Sequence, residues 1–230
     1  MNEFLLSDRC IAIIVFREEF ELIGIVDYGR GNLRSVEKAL ERLGFETTIM
    51  TSSAELEGVD GVILPGVGAF ADAMEALKSG GWIEPITEFT RSGRPFLGIC
   101  LGMQVLFEVG EEHGEHAGLG LLAGRVVKFP PGGKIPHMGW NSLNQERPSR
   151  LLEGIPNESY FYFVHSFYAV PSEKSDIVAT SDYGVVFPAV VGKDNVWGAQ
   201  FHPEKSSPWG LTLLTNFGKW VNEYAALSSH

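Results

Sequence analysis

The stretch Pro95-Phe96-Leu97-Gly98-Ile99-Cys100-Leu101-Gly102-Met103-Gln104 decides the fold. Residues 96–99 are apolar and predict a buried strand, and the pattern of residues 105–108 soon after it predicts a helix. A cysteine flanked by glycines at this junction matches the G-x-[SC]-x-G elbow, a sharp turn that exposes a nucleophile on strained backbone. Bulkier side chains clash in so tight a turn, so Gly98 and Gly102 favour an elbow over a buried core cysteine.

The region around His202 offers a base for such a nucleophile. It reads Gln200-Phe201-His202-Pro203-Glu204-Lys205 and follows an apolar strand end at residues 196–199. His202 can accept the proton of Cys100, and Glu204 can orient the imidazole and stabilise its charged form. A histidine two residues from a glutamate is common on surfaces, so the position after a strand gives the pair its weight. One cysteine with a distant histidine and acid is the set that nucleophilic catalysis requires.

A glycine-rich turn after another apolar run supplies the third element. The run is Val62-Ile63-Leu64-Pro65-Gly66-Val67-Gly68-Ala69-Phe70. Its Gly66, Val67 and Gly68 can present backbone N–H groups to an oxyanion, and the N–H of Leu101 in the elbow can supply the other donor. The helix N-terminus beneath the cysteine sulfur also favours the thiolate. An ordinary strand-to-helix loop is the alternative, because a lone Gly-x-Gly is a weak signal.

Together, three stretches resemble the triad-type glutamine amidotransferases: PGVGAF at 65–70, GICLGMQ at 98–104 and FHPEKS at 201–206. The finer pattern is similar to one branch of that family, the glutaminase subunits of imidazole glycerol phosphate synthase. The further stretches of that branch are DYGRGNLRSV at 27–36, GLGLL at 118–122, PHMGWN at 136–141 and YFVHSFY at 162–168. The resemblance runs from about Leu22 to near the C-terminus.

The resemblance implies a reaction, the hydrolysis of L-glutamine to glutamate and ammonia, with no metal and no organic cofactor. Cys100 is then the nucleophile, His202 the proton shuttle and Glu204 the orienting acid. The resemblance also implies a set of residues that contact glutamine, namely Gln104, His165, Ser166 and Phe167. The alternatives from the residues alone are a helix-surface glutamine for Gln104 and core or strand-edge positions for the aromatic segment.

A partner follows from the same resemblance, because ammonia released to water near neutral pH is mostly protonated and no longer a nucleophile. The implied partner is a separate (β/α)8-barrel cyclase subunit that forms a heterodimer with this chain. The implied contact residues are Asn32, Met138, Trp140 and Lys205. Their alternatives are a helix N-cap for Asn32, core packing for Met138 and Trp140, and an ordinary surface lysine for Lys205.

Three other functions stay open at the level of the sequence. The first is an amidotransferase subunit of another pathway, for purine, anthranilate or pyridoxal phosphate synthesis. The second is a cysteine-elbow α/β-hydrolase that acts on esters or lactones, although in that fold the acid precedes the histidine. The third is a non-catalytic binding subunit, which the presence of all three catalytic residue types disfavours.

The composition sets broad limits on partners and location. The 230 residues carry a formal net charge of −11 and no Lys/Arg cluster, which disfavours nucleic-acid binding. No apolar run approaches the length that spans a membrane. The two cysteines, Cys10 and Cys100, fit neither a disulfide scaffold nor a zinc site, and a reactive thiol fits a reducing cytoplasm. His113 and His116 lie in a polar run that predicts a solvated loop rather than a metal site.

Strand and helix patterns alternate through the first half of the chain. Strands are expected at 23–26, 59–64 and 96–99, and helices at 33–43, 71–77 and 82–89. This alternation predicts an α/β fold with a mostly parallel central sheet and helices on both faces. The second half predicts an antiparallel extension and then a last helix after Pro208. The strands expected there lie at 125–129, 160–170, 177–181 and 185–191.

The first residues need a separate interpretation. We expect one glutamine amidotransferase domain over residues 22–230, because the resemblance begins with the first family strand near Leu22. Residues 1–21 are then an N-terminal extension of unclear role. Its apolar run at 11–16 is short, follows Glu3 and Asp8, and lacks a small-residue cleavage site, so a signal peptide is not expected.

Overall fold

The computed structural model describes residues 21–206 and 208–228, so the expectation for residues 1–20 lies outside the described residues. The strands in chain order are β1 (Leu22–Val26), β2 (Glu46–Met50), β3 (Gly61–Gly66), β4 (Phe96–Cys100), β5 (Phe107–Gly110), β6 (His116–Ala117), β7 (Leu122–Lys128), β8 (His137–Ser142), β9 (Asn144–Gln145), β10 (Tyr160–His165), β11 (Phe167–Pro171), β12 (Ile177–Asp182), β13 (Val186–Lys193) and β14 (Val196–Ala199). The helices are α1 (Leu33–Arg42), α2 (Phe70–Ser79), α3 (Ile83–Arg91), α4 (Leu101–Gln104) and α5 (Trp209–Ser228). Short 3-10 turns lie at Ser53–Gly58, Arg150–Leu152, Lys174–Asp176 and Pro203–Lys205.

The central sheet has eight strands in the order β2-β1-β3-β4-β14-β13-β12-β9. Strands β2, β1, β3, β4 and β14 pair in parallel. Strands β13, β12 and β9 continue the sheet with antiparallel pairing. The predicted fold class, a mostly parallel sheet with an antiparallel extension, is therefore confirmed.

Helices cover both faces of the sheet, as the sequence predicted. Alternate side chains of a strand point to opposite faces, so Ile63 of β3 packs with α1 and α5, while Val62 and Leu64 pack with α2, α3 and α4. The long helix α5 begins directly after Pro208 and buries Phe217 and Val221 against the first of these faces. Burial of apolar side chains on the two faces holds the central sheet between its helices.

Two smaller sheets complete the second half of the chain. Strands β11, β7, β5 and β6 form one of them, in that order, and β8 pairs with β10 as an antiparallel ribbon. The ribbon register places His137 opposite His165, Met138 opposite Val164 and Trp140 opposite Tyr162. The β8–β10 ribbon therefore turns His137 and His165 inward, and Met138 and Trp140 outward.

Two of the expected elements differ from the structure, and the strands β2, β6, β8 and β9 were not expected. The helix expected at 105–108 was wrong, because α4 ends at Gln104 and residues 107–110 form β5, paired with β7. The single strand expected at 160–170 is two strands, β10 and β11, which join different sheets. Strand β2 was not expected at all, since four of its five residues are only partly buried or exposed and its apolar signal is weak.

The order of the parallel strands determines which residues lie close together at the edge of the sheet. Strands β3, β4 and β14 are neighbours and parallel, so their carboxyl ends lie side by side at one edge of the sheet. Gly66 is the last residue of β3, Cys100 is the last of β4, and His202 follows the end of β14. Open α/β sheets bind ligands at this edge.

Candidate active site

Cys100 occupies a strained turn between β4 and α4. Its φ is 55° and its ψ is −111°, a positive φ that is uncommon for a residue other than glycine. A Cβ on Gly98 would lie 2.6 Å from the carbonyl oxygen of Gly102, and a Cβ on Gly102 would collide with the carbonyl oxygen of Leu64. The two glycines therefore permit the close approach of β4, α4 and β3 that this turn requires.

The backbone after β14 holds His202 in a fixed position. The His202 N–H donates to the Tyr162 carbonyl (3.0 Å), and the Ser206 hydroxyl donates to the His202 carbonyl (2.6 Å). Ser206 Oγ also accepts from the Tyr162 N–H (2.8 Å), which ties the turn to β10. A Cβ on Gly210 would collide with the Pro203 carbonyl, so a glycine there lets α5 pack closely on this turn.

His202 and Glu204 form a buried pair. His202 Nδ1 lies 2.9 Å from Glu204 Oε1, and the two side chains are 3% and 1% exposed. His202 Nε2 is buried and has no hydrogen-bond partner among the described residues. Burial alone lowers the pKa of His202, but interactions with Cys100 and Glu204 outweigh it and raise this pKa to about 9. The imidazole therefore carries a proton near neutral pH and faces Cys100 through Nε2.

Cys100, itself 6% exposed, opens into a cavity of about 320 Å³ at the edge of the sheet. The predicted residues that line it are Val67, Gly68, Cys100, Leu101, Gln104, His165, Ser166, Phe167 and His202. Glu204 lies behind His202, and Gly66 backs the elbow, since a Cβ there would lie 2.9 Å from the Gly102 nitrogen. One small cavity thus brings together a thiol, a charged imidazole and two glycine-containing turns.

Comparison with known proteins gives this arrangement a family. The model of the glutamine amidotransferase class-I family matches residues 24–220. The chain belongs to the class-I glutamine amidotransferases. It is 72% identical over 209 residues to the imidazole glycerol phosphate synthase subunit HisH of Desulfitobacterium hafniense, an alignment that covers 91% of this chain and 99% of that protein. Family membership excludes the α/β-hydrolase alternative.

More distant relatives agree. The HisH subunit of Syntrophotalea carbinolica is 49% identical over 204 residues, which cover 86% of this chain and 99% of that protein. Among solved structures, that of PurLQS from Thermotoga maritima superposes with a TM-score of 0.71 at 22% identity. The superposition covers 89% of this chain and 99% of that one, and at this identity it supports the glutamine amidotransferase fold alone.

The second predicted group, around Gln104 and His165, is buried and lines the same cavity as Cys100. Gln104 is 6% exposed, which excludes the helix-surface alternative. His165 Nδ1 lies 2.8 Å from the Phe167 carbonyl, and its Nε2 lies 3.0 Å from Nδ1 of His137. Burial lowers the pKa of His165 to about 3 and that of His137 to about 4, so both rings are neutral.

Five further residues around the cavity were not expected from the sequence: Pro136, which lines it, and the four described next. Glu112 lines the cavity, and its carboxylate accepts from the Phe70 N–H at the start of α2 (2.7 Å). Gln200 is fully buried with its side-chain nitrogen 3.9 Å from the sulfur. Val164 places its carbonyl 3.9 Å from the same sulfur. The Tyr28 hydroxyl is buried without a partner in the described chain, and burial and the nearby Cys100 raise its pKa.

The four residues expected at a partner surface lie outside the cavity. Met138 and Trp140 are 61% and 54% exposed on the β8–β10 ribbon, which excludes the core-packing alternative. Lys205 is exposed at the end of the Pro203–Lys205 turn. Asn32 is half-buried at the N-cap of α1, where its side chain accepts from the Ser35 hydroxyl (2.9 Å).

Two other expectations concern membranes and metals. Over residues 21–206 and 208–228, no helix is both long enough and apolar enough to cross a membrane. In the same described part of the chain, no group of three or more His, Cys, Asp or Glu side chains is arranged to hold a metal ion. Cys100 is a free thiol, and Cys10 lies outside the described residues.

Proposed function

We propose that this chain is the glutaminase subunit of imidazole glycerol phosphate synthase in histidine biosynthesis. It hydrolyses L-glutamine to glutamate and ammonia and passes the ammonia to a cyclase subunit. The observation that carries the proposal is the cavity in which the Cys100 elbow faces the buried His202–Glu204 pair. The relatives at 72% and 49% identity, which bear the name of that subunit, support the choice of pathway over purine, anthranilate or pyridoxal phosphate synthesis.

The first half of the reaction forms a thioester. The Cys100 thiolate attacks the side-chain amide carbon of glutamine, and the amide oxygen becomes an oxyanion. The Leu101 N–H and an N–H from Gly66, Val67 or Gly68 stabilise that oxyanion. The C–N bond then breaks, and the imidazolium of His202 gives its proton to the departing nitrogen, which leaves as ammonia.

The second half regenerates the thiolate. Neutral His202 removes a proton from a water molecule, which attacks the thioester carbon, and the C–S bond breaks to release glutamate. Glu204 orients the imidazole through the 2.9 Å contact to Nδ1 and stabilises its charged form. The net change consumes one glutamine and one water and yields one glutamate and one ammonia.

The cavity also carries groups suited to the α-amino end of glutamine. The Glu112 carboxylate lies in the lining and offers a negative charge to the α-ammonium group. Gln104 directs its side-chain nitrogen away, to the Phe167 carbonyl (2.9 Å), so its Oε1 is left to accept a hydrogen bond. His165, Ser166 and Phe167 border the same space and contact the bound substrate.

The partner in this proposal is a (β/α)8-barrel cyclase subunit that forms a heterodimer with this chain in the cytoplasm. Met138 and Trp140 support a partner surface on the β8–β10 ribbon, because exposed large apolar side chains on neighbouring positions of one strand face are typical of interfaces. In this proposal Lys205, exposed in the Pro203–Lys205 turn, and Asn32, at the start of α1, also contact the partner. The cyclase combines ammonia with its nucleotide substrate to form imidazole glycerol phosphate and an aminoimidazole carboxamide ribotide.

A substitution of Cys100 tests the function directly. In the complex with the cyclase subunit, Cys100→Ser should lose glutamine-dependent synthesis by about a thousandfold or more. It should still form product from ammonium chloride, because Cys100 acts only in ammonia release. Both half-reactions are measured, glutamate by an enzymatic assay and imidazole glycerol phosphate by chromatography. Near-wild-type glutamine hydrolysis in this variant would exclude the nucleophile, and no product from either nitrogen source with a correctly assembled wild type would exclude the pathway.

A further inference from the structure

Gln200 is a buried amide between the nucleophile and the substrate-facing Gln104. It follows β14 directly and is fully buried. Its backbone N–H donates to the Ala189 carbonyl of β13 at 2.9 Å, which fixes where its side chain starts. The reaction described above assigns it no part, although its side chain contacts both Gln104 and Cys100.

The direction of the hydrogen bonds around Gln200 is set by a backbone carbonyl. The Phe167 oxygen can only accept, so Gln104 must turn its Nε2 toward it, at 2.9 Å. The second hydrogen of that nitrogen points to Gln200 Oε1 at 3.0 Å. Gln200 must therefore present its oxygen to Gln104, and its own Nε2 turns to the Cys100 sulfur at 3.9 Å. The reverse assignment of Gln104 would place its Oε1 2.9 Å from the Phe167 oxygen, and two acceptors at that distance repel each other.

The sulfur thus has two neighbours of opposite character. The Val164 carbonyl, 3.9 Å away, can only accept a hydrogen bond, so it favours the protonated thiol. Gln200 Nε2, also at 3.9 Å, can only donate, so it favours the thiolate. An N–H donor to a charged acceptor stabilises more than a neutral hydrogen bond does. Among the described residues, the titratable groups whose pKa values respond to Cys100 are His202 and Tyr28.

We propose that Gln200 is a positioning residue for the glutaminase reaction. Its Oε1 holds Gln104 with the acceptor oxygen toward the substrate, and its Nε2 stabilises the Cys100 thiolate before attack and as the leaving group when the thioester is hydrolysed. The first role rests on the proposed function, because it needs glutamine in the cavity. The stabilisation of the thiolate before attack needs no substrate.

Alkylation of Cys100 by iodoacetamide in the isolated full chain tests the second role. A Cys10→Ser background leaves one thiol, and the rate is measured from pH 5 to 10. Gln200→Glu places a carboxylate beside the sulfur, so the pH of half-maximal alkylation should rise by about one unit or more. Gln200→Met keeps the size of the side chain but removes the donor, and the rise should be roughly half a unit.

The matched control is Thr180→Val on β12, which removes another buried donor, the hydroxyl bonded to Glu146 Oε1 at 2.7 Å. It should leave the alkylation profile unchanged. An unshifted profile in Gln200→Glu, with the wild-type far-UV spectrum, would overturn the proposal. If Gln200→Glu does not fold, Gln200→Met decides by the same criterion, since its volume matches that of glutamine.

Glutamine kinetics in the complex with the cyclase test the first role. Gln200→Met should raise KM for glutamine by roughly tenfold and lower kcat less, because a freed Gln104 costs substrate binding more than chemistry. An unchanged KM would show that Gln200 does not hold Gln104 in place for substrate binding. A wild-type complex that hydrolyses no glutamine, with the alkylation shift still present, would instead refute the proposed function and leave the contact between Gln200 and Cys100 in place.

Discussion

His202 and His165 line the same cavity but come from two different regions of the molecule. His202 follows the parallel strand β14, and His165 ends β10 of the antiparallel ribbon. Their exposed fractions are nearly equal, 3% and 6%. Nevertheless, the pKa of His202 is raised to about 9, and that of His165 is lowered to about 3.

The difference between the two rings lies in their partners. Burial lowers the pKa of both, since it disfavours a charge. In His202, interactions with Cys100 and the Glu204 carboxylate outweigh the effect of burial. In His165, the Phe167 carbonyl raises the pKa, but burial, His137 and His202 lower it. The surroundings of His202 therefore favour a protonated ring, and those of His165 favour a neutral ring. Burial alone does not distinguish a histidine that holds a proton from one that stays neutral.

The largest contrast between the regions should appear in turnover. We expect His202→Ala to reduce glutamine turnover in the cyclase complex by about a thousandfold, because ammonia then leaves without a proton donor. His165→Asn should cost far less, since a neutral ring moves no proton. Steady-state glutamate formation measures both variants, and the native mass of the complex controls for assembly. Equal losses would mean that both histidines take part in proton transfer.

A smaller effect should follow from Glu204→Gln. We expect turnover to fall roughly tenfold to hundredfold, because an orienting acid is partly replaced by an amide. The substitution removes one of the two groups that raise the pKa of His202. In the pH–rate profile of the wild type, we expect kcat to fall at alkaline pH, near pH 9. In Glu204→Gln this alkaline limb of the profile should therefore move to lower pH.

The control for the alkaline limb is His165→Asn, in which the limb should stay where it is even if turnover falls. A pH–rate profile of kcat between pH 6 and 10 gives both positions. If the limb is unmoved in Glu204→Gln, His202 is not the group that titrates there.

The two neutral histidines, His165 and His137, should lower the stability of the folded protein at acid pH. The pKa values of His165 and His137 lie below the unfolded value of about 6.5, so the unfolded chain binds protons that the folded chain excludes. Stability that is present above pH 6.5 is then lost as the pH falls toward 4, by about 1.4 kcal/mol per pH unit for each ring. His202, whose pKa is raised, loses its contribution in the opposite direction, as the pH rises from 6.5 through 9.

Urea unfolding of the full chain between pH 4.5 and 7 measures the slope of the free energy of unfolding against pH. His165→Asn should flatten it, because that variant has one ring fewer to protonate on unfolding. The same series in Glu204→Gln should keep the wild-type slope on the acid side. A slope that His165→Asn leaves unchanged would show that this ring is already charged in the folded protein.

The elbow at Cys100 and the His202–Glu204 pair could be predicted from the sequence because their signals are local. Glycines on both sides of Cys100 predict an elbow whatever the rest of the chain does, and the clashes at Gly98 and Gly102 are the physical reason. Parallel neighbouring strands bring their carboxyl ends together, but the sequence does not give the order β3-β4-β14. The family resemblance, rather than the local patterns, joined His202 and the turn after β3 to Cys100. The raised pKa of His202 follows from Cys100 and from Glu204, which lies two residues away in the chain.

The cavity residues that the sequence missed, such as Gln200 and Glu112, depend on contacts between residues distant in the chain. Gln200 contacts Gln104 across 96 positions, and no local pattern points to that pair. Glu112 lies in a polar run that is typical of a solvated loop, and only the packing of that loop against α2 brings its carboxylate into the cavity. Strand β5 was mistaken for helix because residues 105–107 are all fully buried, which erases the periodicity that separates the two structures.

The smallest effect should come from a change outside both regions, the removal of residues 1–21. Strand β1 begins at Leu22, whose N–H donates to Asp60 Oδ2 (2.9 Å) and whose carbonyl accepts from the Asp60 N–H (2.9 Å). A chain that begins with Met in place of Leu22 keeps this pairing, and its new ammonium group lies beside the Asp60 carboxylate, where the opposite charges attract. We therefore expect the melting temperature to change by less than about 4 °C and partner-dependent turnover to stay at the wild-type level. Asp60→Asn in the shortened chain is the matched control, since it removes the charge and keeps an oxygen acceptor. A large loss of melting temperature in the shortened chain with Asp60 intact would show that residues 1–21 pack on the domain and that the family resemblance, which begins near Leu22, omits part of the fold.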